Sequence, residues 1–232
     1  MGGASERWTR WNRIRYTLWS PAYDLVAGLG RQRRRSLELL ALRPGERVLL
    51  IGAGTGADLP FLPAGVEALA TDLTPAMLAR ARRKLRPGME LRVMDGQRLE
   101  LPDASFDAVV LHLILAVMPD PVACLRETAR VLRPGGRAVV FDKFLRRGER
   151  AGLARRAVGG VARLLFTEVN RVLEDLLAAS GAPLEIAHDE PALAGGLFRI
   201  VLLRSTQEPT RSGVLLTSAG PPLGSTKRTS SR

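Results

Sequence analysis

The sequence predicts an α/β protein: an open, mostly parallel sheet with helices on both faces, closed by an antiparallel hairpin. Three observations predict it. Between residues 45 and 145, short apolar runs rich in β-branched residues alternate with helix-period patterns. A glycine-rich turn follows the first of those runs. The last two apolar runs, 184–190 and 197–205, are separated only by PALAGG, too short for a helical crossover, so they pair antiparallel.

In chain order, GERVLLIGAG (45–54) reads as a buried strand entering a glycine turn, and VEALATD (66–72) as a second strand. TPAMLARARRKL (74–85) reads as a helix with proline in its first turn. MELRVMD (89–95) and FDAVVLHLI (106–114) are the third and fourth strands. DPVACLRETARVL (120–132) is a helix stopped by Arg133-Pro134-Gly135-Gly136, a turn that feeds a fifth strand, RAVVFDKF (137–144). Strand–helix repeats of this length imply a parallel sheet covered on both faces. TEVNRVLEDLLAAS (167–180) is an amphipathic helix before the final hairpin. The organisation is then an N-terminal aromatic and basic helical lid at 1–42, a ligand-binding domain at 43–205, and a tail at 206–232 rich in Ser, Thr, Gly and Pro, expected to be disordered.

Composition narrows the class. With 232 residues, 46% hydrophobic and 25% charged, the chain suits one soluble domain with appendages. A single cysteine, Cys124, excludes an internal disulfide framework and, within an apolar stretch, reads as a buried inert thiol. The longest apolar run, 108–118, is too short to span a bilayer, and the arginine-rich N-terminus lacks an apolar signal core, so a cytoplasmic location is expected. No Cys-x-x-Cys or His-x-x-x-His spacing occurs, so no metal is expected.

The net charge of +12 comes largely from the ends: eight basic and two acidic residues in 1–36, four basic and one acidic in 205–232. That distribution fits an anionic surface as partner, membrane headgroups or nucleic acid, or a basic face serving only solubility. All three tryptophans and both tyrosines fall between Trp8 and Tyr23, interleaved with arginines. Over residues 6–19, Trp8, Trp11, Ile14 and Leu18 share one helical face. Such a stripe fits a helix lying on a membrane, or a lid packed over the ligand cleft.

The chemistry centres on IGAGTGADLP (51–60). Gly52, Gly54 and Gly56 follow a strand and are expected to open a helix, where backbone approaches a ligand and its N–H groups point outward. Asp72 lies twenty residues after Gly52, at the end of the second strand, where a carboxylate accepts hydrogen bonds from ribose hydroxyls. A nucleoside-containing cofactor follows. The loop also satisfies the alanine-ended dinucleotide fingerprint and does not by itself choose the cofactor. Asp95-Gly96 at the end of the third strand, the Pro134-Gly135-Gly136 turn and the antiparallel ending favour a different nucleoside ligand over a dinucleotide.

VLLIGAGTGADL, ATDLTPAML, VMDGQRLELPDASFDAVVL and ETARVLRPGGR together resemble the class I S-adenosylmethionine-dependent methyltransferases, over roughly residues 22–205. The resemblance implies their seven-stranded Rossmann-like sheet and S-adenosyl-L-methionine as cofactor. Within the superfamily the chain is similar to the phosphatidylethanolamine N-methyltransferases and the quinone C-methyltransferases. Tyr23-Asp24, LAVMPDP (115–121) and FDKFL (141–145) lean toward the first, although Asp142-Lys143 replaces the first two of an Asn-His-Phe triplet common there.

Carried over by residue, the resemblance implies that Gly52, Ala53, Gly54, Thr55 and Gly56 line the methionine part of the cofactor. Asp72 holds the ribose, Leu73 and Met77 flank the adenine, and Asp95 and Gly96 recognise it. His112 faces the sulfonium or the acceptor, and Tyr23 closes over the cofactor. His112, Asp142 and Tyr23 are the candidate bases. The expected acceptor is a lipid headgroup amine or another membrane-associated small molecule. A quinone precursor, a soluble small molecule, and a non-catalytic cofactor-binding module are the alternatives. An RNA acceptor is disfavoured, because no RNA-binding module or Asn/Asp-Pro-Pro-Tyr signature appears.

Overall fold

The computed structural model describes residues 29–145, 171–193 and 196–208. The expectations for residues 6–19, for Tyr23 and for the tail from 209 lie outside these residues. Among the described residues, no helix is long and apolar enough to cross a membrane.

Seven strands form one sheet in the order β3-β2-β1-β4-β5-β7-β6. They are β1 (Arg47–Ile51), β2 (Glu67–Asp72), β3 (Met89–Val93), β4 (Phe106–His112), β5 (Leu132–Lys143), β6 (Leu184–Leu193) and β7 (Phe198–Ser205). The first five pair in parallel, and β7 runs antiparallel to both β5 and β6. The helices are α1 (Gly30–Leu40), α2 (Pro75–Ala81), α3 (Pro121–Val131) and α4 (Leu173–Ser180). The predicted fold class is therefore the observed one.

Alternation along the central strands builds two cores. Leu49 and Ile51 of β1, Val109 and Leu111 of β4, and Val140 of β5 pack with Cys124, Leu125 and Leu173 of α3 and α4. Val48 and Leu50, Ala108 and Val110, and Val139 and Phe141 point the other way, toward Leu37 and Leu40 of α1 and Ala81 of α2. Each fully buried leucine contributes about 1.5–3 kcal/mol, so both faces are strongly specified. Burial pushes the Cys124 thiol up to about 12, in keeping with an inert thiol.

Several boundaries differ from the sequence expectation, each for a local reason. The glycine loop does not open an α-helix: it passes through turns into a single 3-10 turn, Leu59–Phe61. Pro60 lacks an amide donor, and Leu62, immediately before Pro63, is extended (φ −65°, ψ 139°). The 74–85 helix is α2 followed by a 3-10 turn at Arg82–Lys84. β4 stops at His112 because Leu113 takes a left-handed conformation, φ 57°. β5 begins directly at Leu132. The Arg133–Gly136 segment is accommodated as an irregularity between the pairs Phe106↔Leu132 and Ala108↔Arg137. Asp120 caps α3, its carboxylate accepting the Ala123 N–H at 2.9 Å.

α1 falls within the 1–42 segment expected as a lid, and it packs on the sheet against β4, β5 and β7. Its last carbonyls are satisfied by Arg137, whose guanidinium donates to Leu40 O and Ala41 O and pairs with Glu46 at 2.7 Å.

Candidate active site

In a parallel sheet the strand order reverses where successive crossovers leave in opposite directions, and the carboxyl ends diverge there to leave a crevice. Here the reversal lies between β1 and β4. Register brings the predicted residues to that edge. Ile51 pairs with Thr71 and Asp72 with Val93, so Gly52, Asp72 and Asp95 follow three adjacent strand ends.

The glycine loop is tied to β2 twice. Ala53 N–H donates to Thr71 O at 2.8 Å, and Gly54 N–H donates to Asp72 Oδ2 at 2.9 Å. Asp72 Oδ1 accepts from Thr74 N–H at 2.8 Å. The Thr74 hydroxyl also bonds this carboxylate, so of its roughly four lone-pair sites about one remains for a ligand's hydroxyl. Burial raises the Asp72 pKa, against the two backbone N–H groups and the Thr74 side chain, which favour its charged form.

Gly54 has φ 57°, and a Cβ built there meets nothing within 4 Å: the loop's crest faces open space. Gly52 differs, since a Cβ there would fall 2.5 Å from Ile114 Cδ1. Gly56 lies against Ala81 and Leu59, and Gly96 against Ile51. An open backbone crest beside a half-exposed carboxylate fits the methionine and ribose portions of a nucleoside cofactor.

Thr55 and Met77 are buried, while Leu73 and Gly96 are half-buried at the same edge. Asp95 Oδ1 accepts from the Gln97 backbone N–H and from its Nε2, both at 2.9 Å. Gln97 Oε1 in turn accepts from Asp120 N–H, which ties the Asp95 turn to the start of α3.

The candidate bases are placed apart. His112 lies on the α1 face, buried edge-on against Phe141 at 5.7 Å between ring centroids. Its Nδ1 is 2.8 Å from Asp58 Oδ1 and its Nε2 2.7 Å from Ser36 Oγ. Asp142, one residue past Phe141 on β5, belongs by strand alternation to the opposite face. Its Oδ2 accepts from Ala116 N–H at 2.9 Å and its Oδ1 from Lys143 N–H at 2.8 Å. Burial raises the Asp142 pKa, with those N–H groups, Lys143 and Arg171 opposing. The Lys143 ammonium stands over the Phe198 ring, 5.5 Å from its centroid. His188 on β6 pairs on the surface with Glu190 at 2.8 Å.

Three residues around His112 were not legible beforehand. Arg33 and Ser36 lie one helical turn apart on α1, and Asp58 closes the glycine loop; only their spacing from Gly56 and within α1 could have pointed to them. Among the described residues, no three His, Cys, Asp or Glu side chains group as metal ligands.

Comparison with known proteins adds to this geometry. Residues 49–140 match the family described as "Methyltransferase domain". The phosphatidylethanolamine N-methyltransferase of Cereibacter sphaeroides is 35% identical over 190 residues, covering 79% of this chain and 92% of that protein. The demethylmenaquinone methyltransferase of Beutenbergia cavernae is 42% identical over 127 residues, covering 52% of each, so the match spans about half of that relative. A chain from the solved complex between the Haloferax volcanii Trm112 methyltransferase activator and a methyltransferase superposes with a TM-score of 0.68. At 17% identity, over 83% of this chain and 98% of that one, this is a likeness of fold.

Proposed function

Since this chain belongs to the class I S-adenosylmethionine-dependent methyltransferases, we propose that it methylates the amine of a lipid headgroup, or another small acceptor held at a membrane. The observation that carries this choice is the extent of the match: identity to the phosphatidylethanolamine enzyme runs over 92% of that protein. A second reading, methylation of a quinone precursor, is favoured by the higher identity, 42%, over the shorter match.

S-adenosylmethionine is the cofactor. We assign Gly52, Ala53, Gly54, Thr55 and Gly56 to its methionine part, Asp72 to its ribose, and Leu73, Met77, Asp95 and Gly96 to its adenine. When bound, it supplies a methyl group on a positively charged sulfur, a leaving group that needs no acid. The protein's remaining work is to align the acceptor nitrogen with that methyl and to exclude water.

An aliphatic amine is protonated near neutral pH, and its lone pair must be freed before attack. His112 is the first candidate to take that proton. It can do so only once Nε2 is released from Ser36, because Nδ1 faces a carboxylate. Asp142 is the second: burial raises its proton affinity, yet both oxygens already receive backbone N–H groups. Tyr23 and a membrane contact through residues 6–19 complete the proposal from outside the described residues.

The test supplies the full chain with methyl-labelled cofactor and vesicles containing either phosphatidylethanolamine or demethylmenaquinone. Label in N-methylated phosphatidylethanolamine is expected. Label confined to the quinone vesicles would establish the second reading and overturn the first.

A further inference from the structure

His112 sits in a cluster that extends well beyond a single catalytic side chain. Arg33, Ser36, Asp58 and His112 are each 5% exposed or less. The Arg33 guanidinium pairs with Asp58 Oδ2 at 2.6 Å, and Asp58 Oδ1 meets His112 Nδ1 at 2.8 Å. Ser36 Oγ lies 2.7 Å from His112 Nε2 and 2.8 Å from the Arg33 carbonyl. Four buried polar side chains therefore join three pieces of chain: α1, the far end of the glycine loop, and the last residue of β4.

Their hydrogen-bonding capacities fix the proton positions. Burial alone would raise the Asp58 pKa, but His112 and Arg33 together hold it well below the usual carboxylate range, so Asp58 is a charged acceptor. A charged carboxylate only accepts, so His112 Nδ1 carries the proton that faces it. The Ser36 hydroxyl has one proton. It is donated to the Arg33 carbonyl at 2.8 Å, and the same oxygen meets His112 Nε2 at 2.7 Å. His112 is thus held at both ring nitrogens, Nδ1–H toward Asp58 and Nε2 against Ser36 Oγ. Arg33 Nε has no hydrogen-bond partner among the described residues, so its charge leans on Asp58.

We propose that Asp58, Arg33 and Ser36 are positioning residues for the donor: they clamp the far end of the glycine loop to α1 and β4 and hold the His112 ring with its Nδ1–H toward Asp58. The loop is then held at both ends, by Asp72 at Gly54 and by Arg33 and His112 at Asp58. Its open crest keeps one shape between two anchored ends, which is what a site built on turns rather than a helix requires. This rests on the reading of that loop as the donor's cradle.

Calorimetric titration of the full chain with S-adenosylhomocysteine tests it. Asp58→Asn is expected to weaken binding about tenfold or more, since ångström-scale misplacement is costly. Ser36→Ala is expected to weaken it about threefold or more, and Ser36→Thr to restore it. Arg35→Gln breaks only an exposed α1 contact to Glu190 and should stay within about twofold. The acceptor KM at saturating donor should hold in all of them, a split that loss of general stability would not produce. Nitrogen-15 spectra of histidine-labelled protein should show His112 protonated on Nδ1.

Folded Asp58→Asn and Ser36→Ala proteins with wild-type affinity overturn the clamp, as does a proton found on Nε2 alone. Should Asp58→Asn fail to fold, Ser36→Ala decides by the same criterion. Gly54→Val with wild-type affinity overturns the cradle assignment instead, which keeps the two failures distinct.

Discussion

Gly52 and Gly54 stand two residues apart and do different work. Gly54 faces open space, whereas Gly52 backs onto Ile114, so a side chain at the first invades the site and at the second the core. Gly52→Ala places a methyl where 2.5 Å separates it from Ile114, at φ 70°. Overpacking of this kind costs about 1–3 kcal/mol, and the left-handed backbone adds to it. The urea midpoint should fall accordingly with an unchanged slope; an unchanged midpoint would mean that Ile114 moves aside freely. The sequence marks both glycines equally, because the motif reports backbone conformation and is silent on what lies beside it. Asp72 was legible from its distance to the loop, but its bond to Gly54 was not, since that depends on the register of β1 with β2.

Among elements, the hairpin end of the sheet depends on one arginine. Arg199 on β7 is buried and pairs with Asp189 of β6 at 2.5 Å and with Glu174 of α4 at 2.7 Å, which holds the α4 end against the antiparallel strands. Arg199→Met keeps the apolar stem and leaves two carboxylates facing each other. Both retain some solvent, so the loss should be about 1–3 kcal/mol, below the value for a fully buried pair. Thermal unfolding should register it, and a variant as stable as wild type would show the carboxylates fully resolvated. The edge strands β3 and β6 are largely exposed and carry charged residues, whereas the central strands β1, β4 and β5 were legible as short apolar runs. Helix ends were less so: Pro60 and Pro63 override the expectation of a helix after the glycine loop, and Leu113 ends β4 early through a conformation that its type does not advertise.

For the molecule as a whole, the site is a consequence of topology. Reversal of strand order at β1 and β4 opens the carboxyl edge, and the glycine loop, Asp72 and Asp95 come from three adjacent strands at that edge. That much follows from alternating strand and helix patterns with acidic residues at strand ends. The division of labour between faces does not follow from pattern. His112 and Asp142 belong to paired strands yet to opposite faces, and the four-residue cluster around His112 draws on segments 25 to 76 residues apart in sequence. Long-range polar pairing carries no local period, so sequence reading finds the donor edge more readily than the machinery that steadies it.

Titration of the full chain with S-adenosylmethionine, in wild-type and Gly54→Val forms, tests the central claim most directly. The account predicts one donor molecule bound per chain by the wild type and none measurable for Gly54→Val, which stays folded although its left-handed backbone (φ 57°) lowers the melting temperature. Equal binding by both forms, or none by the wild type, would contradict it.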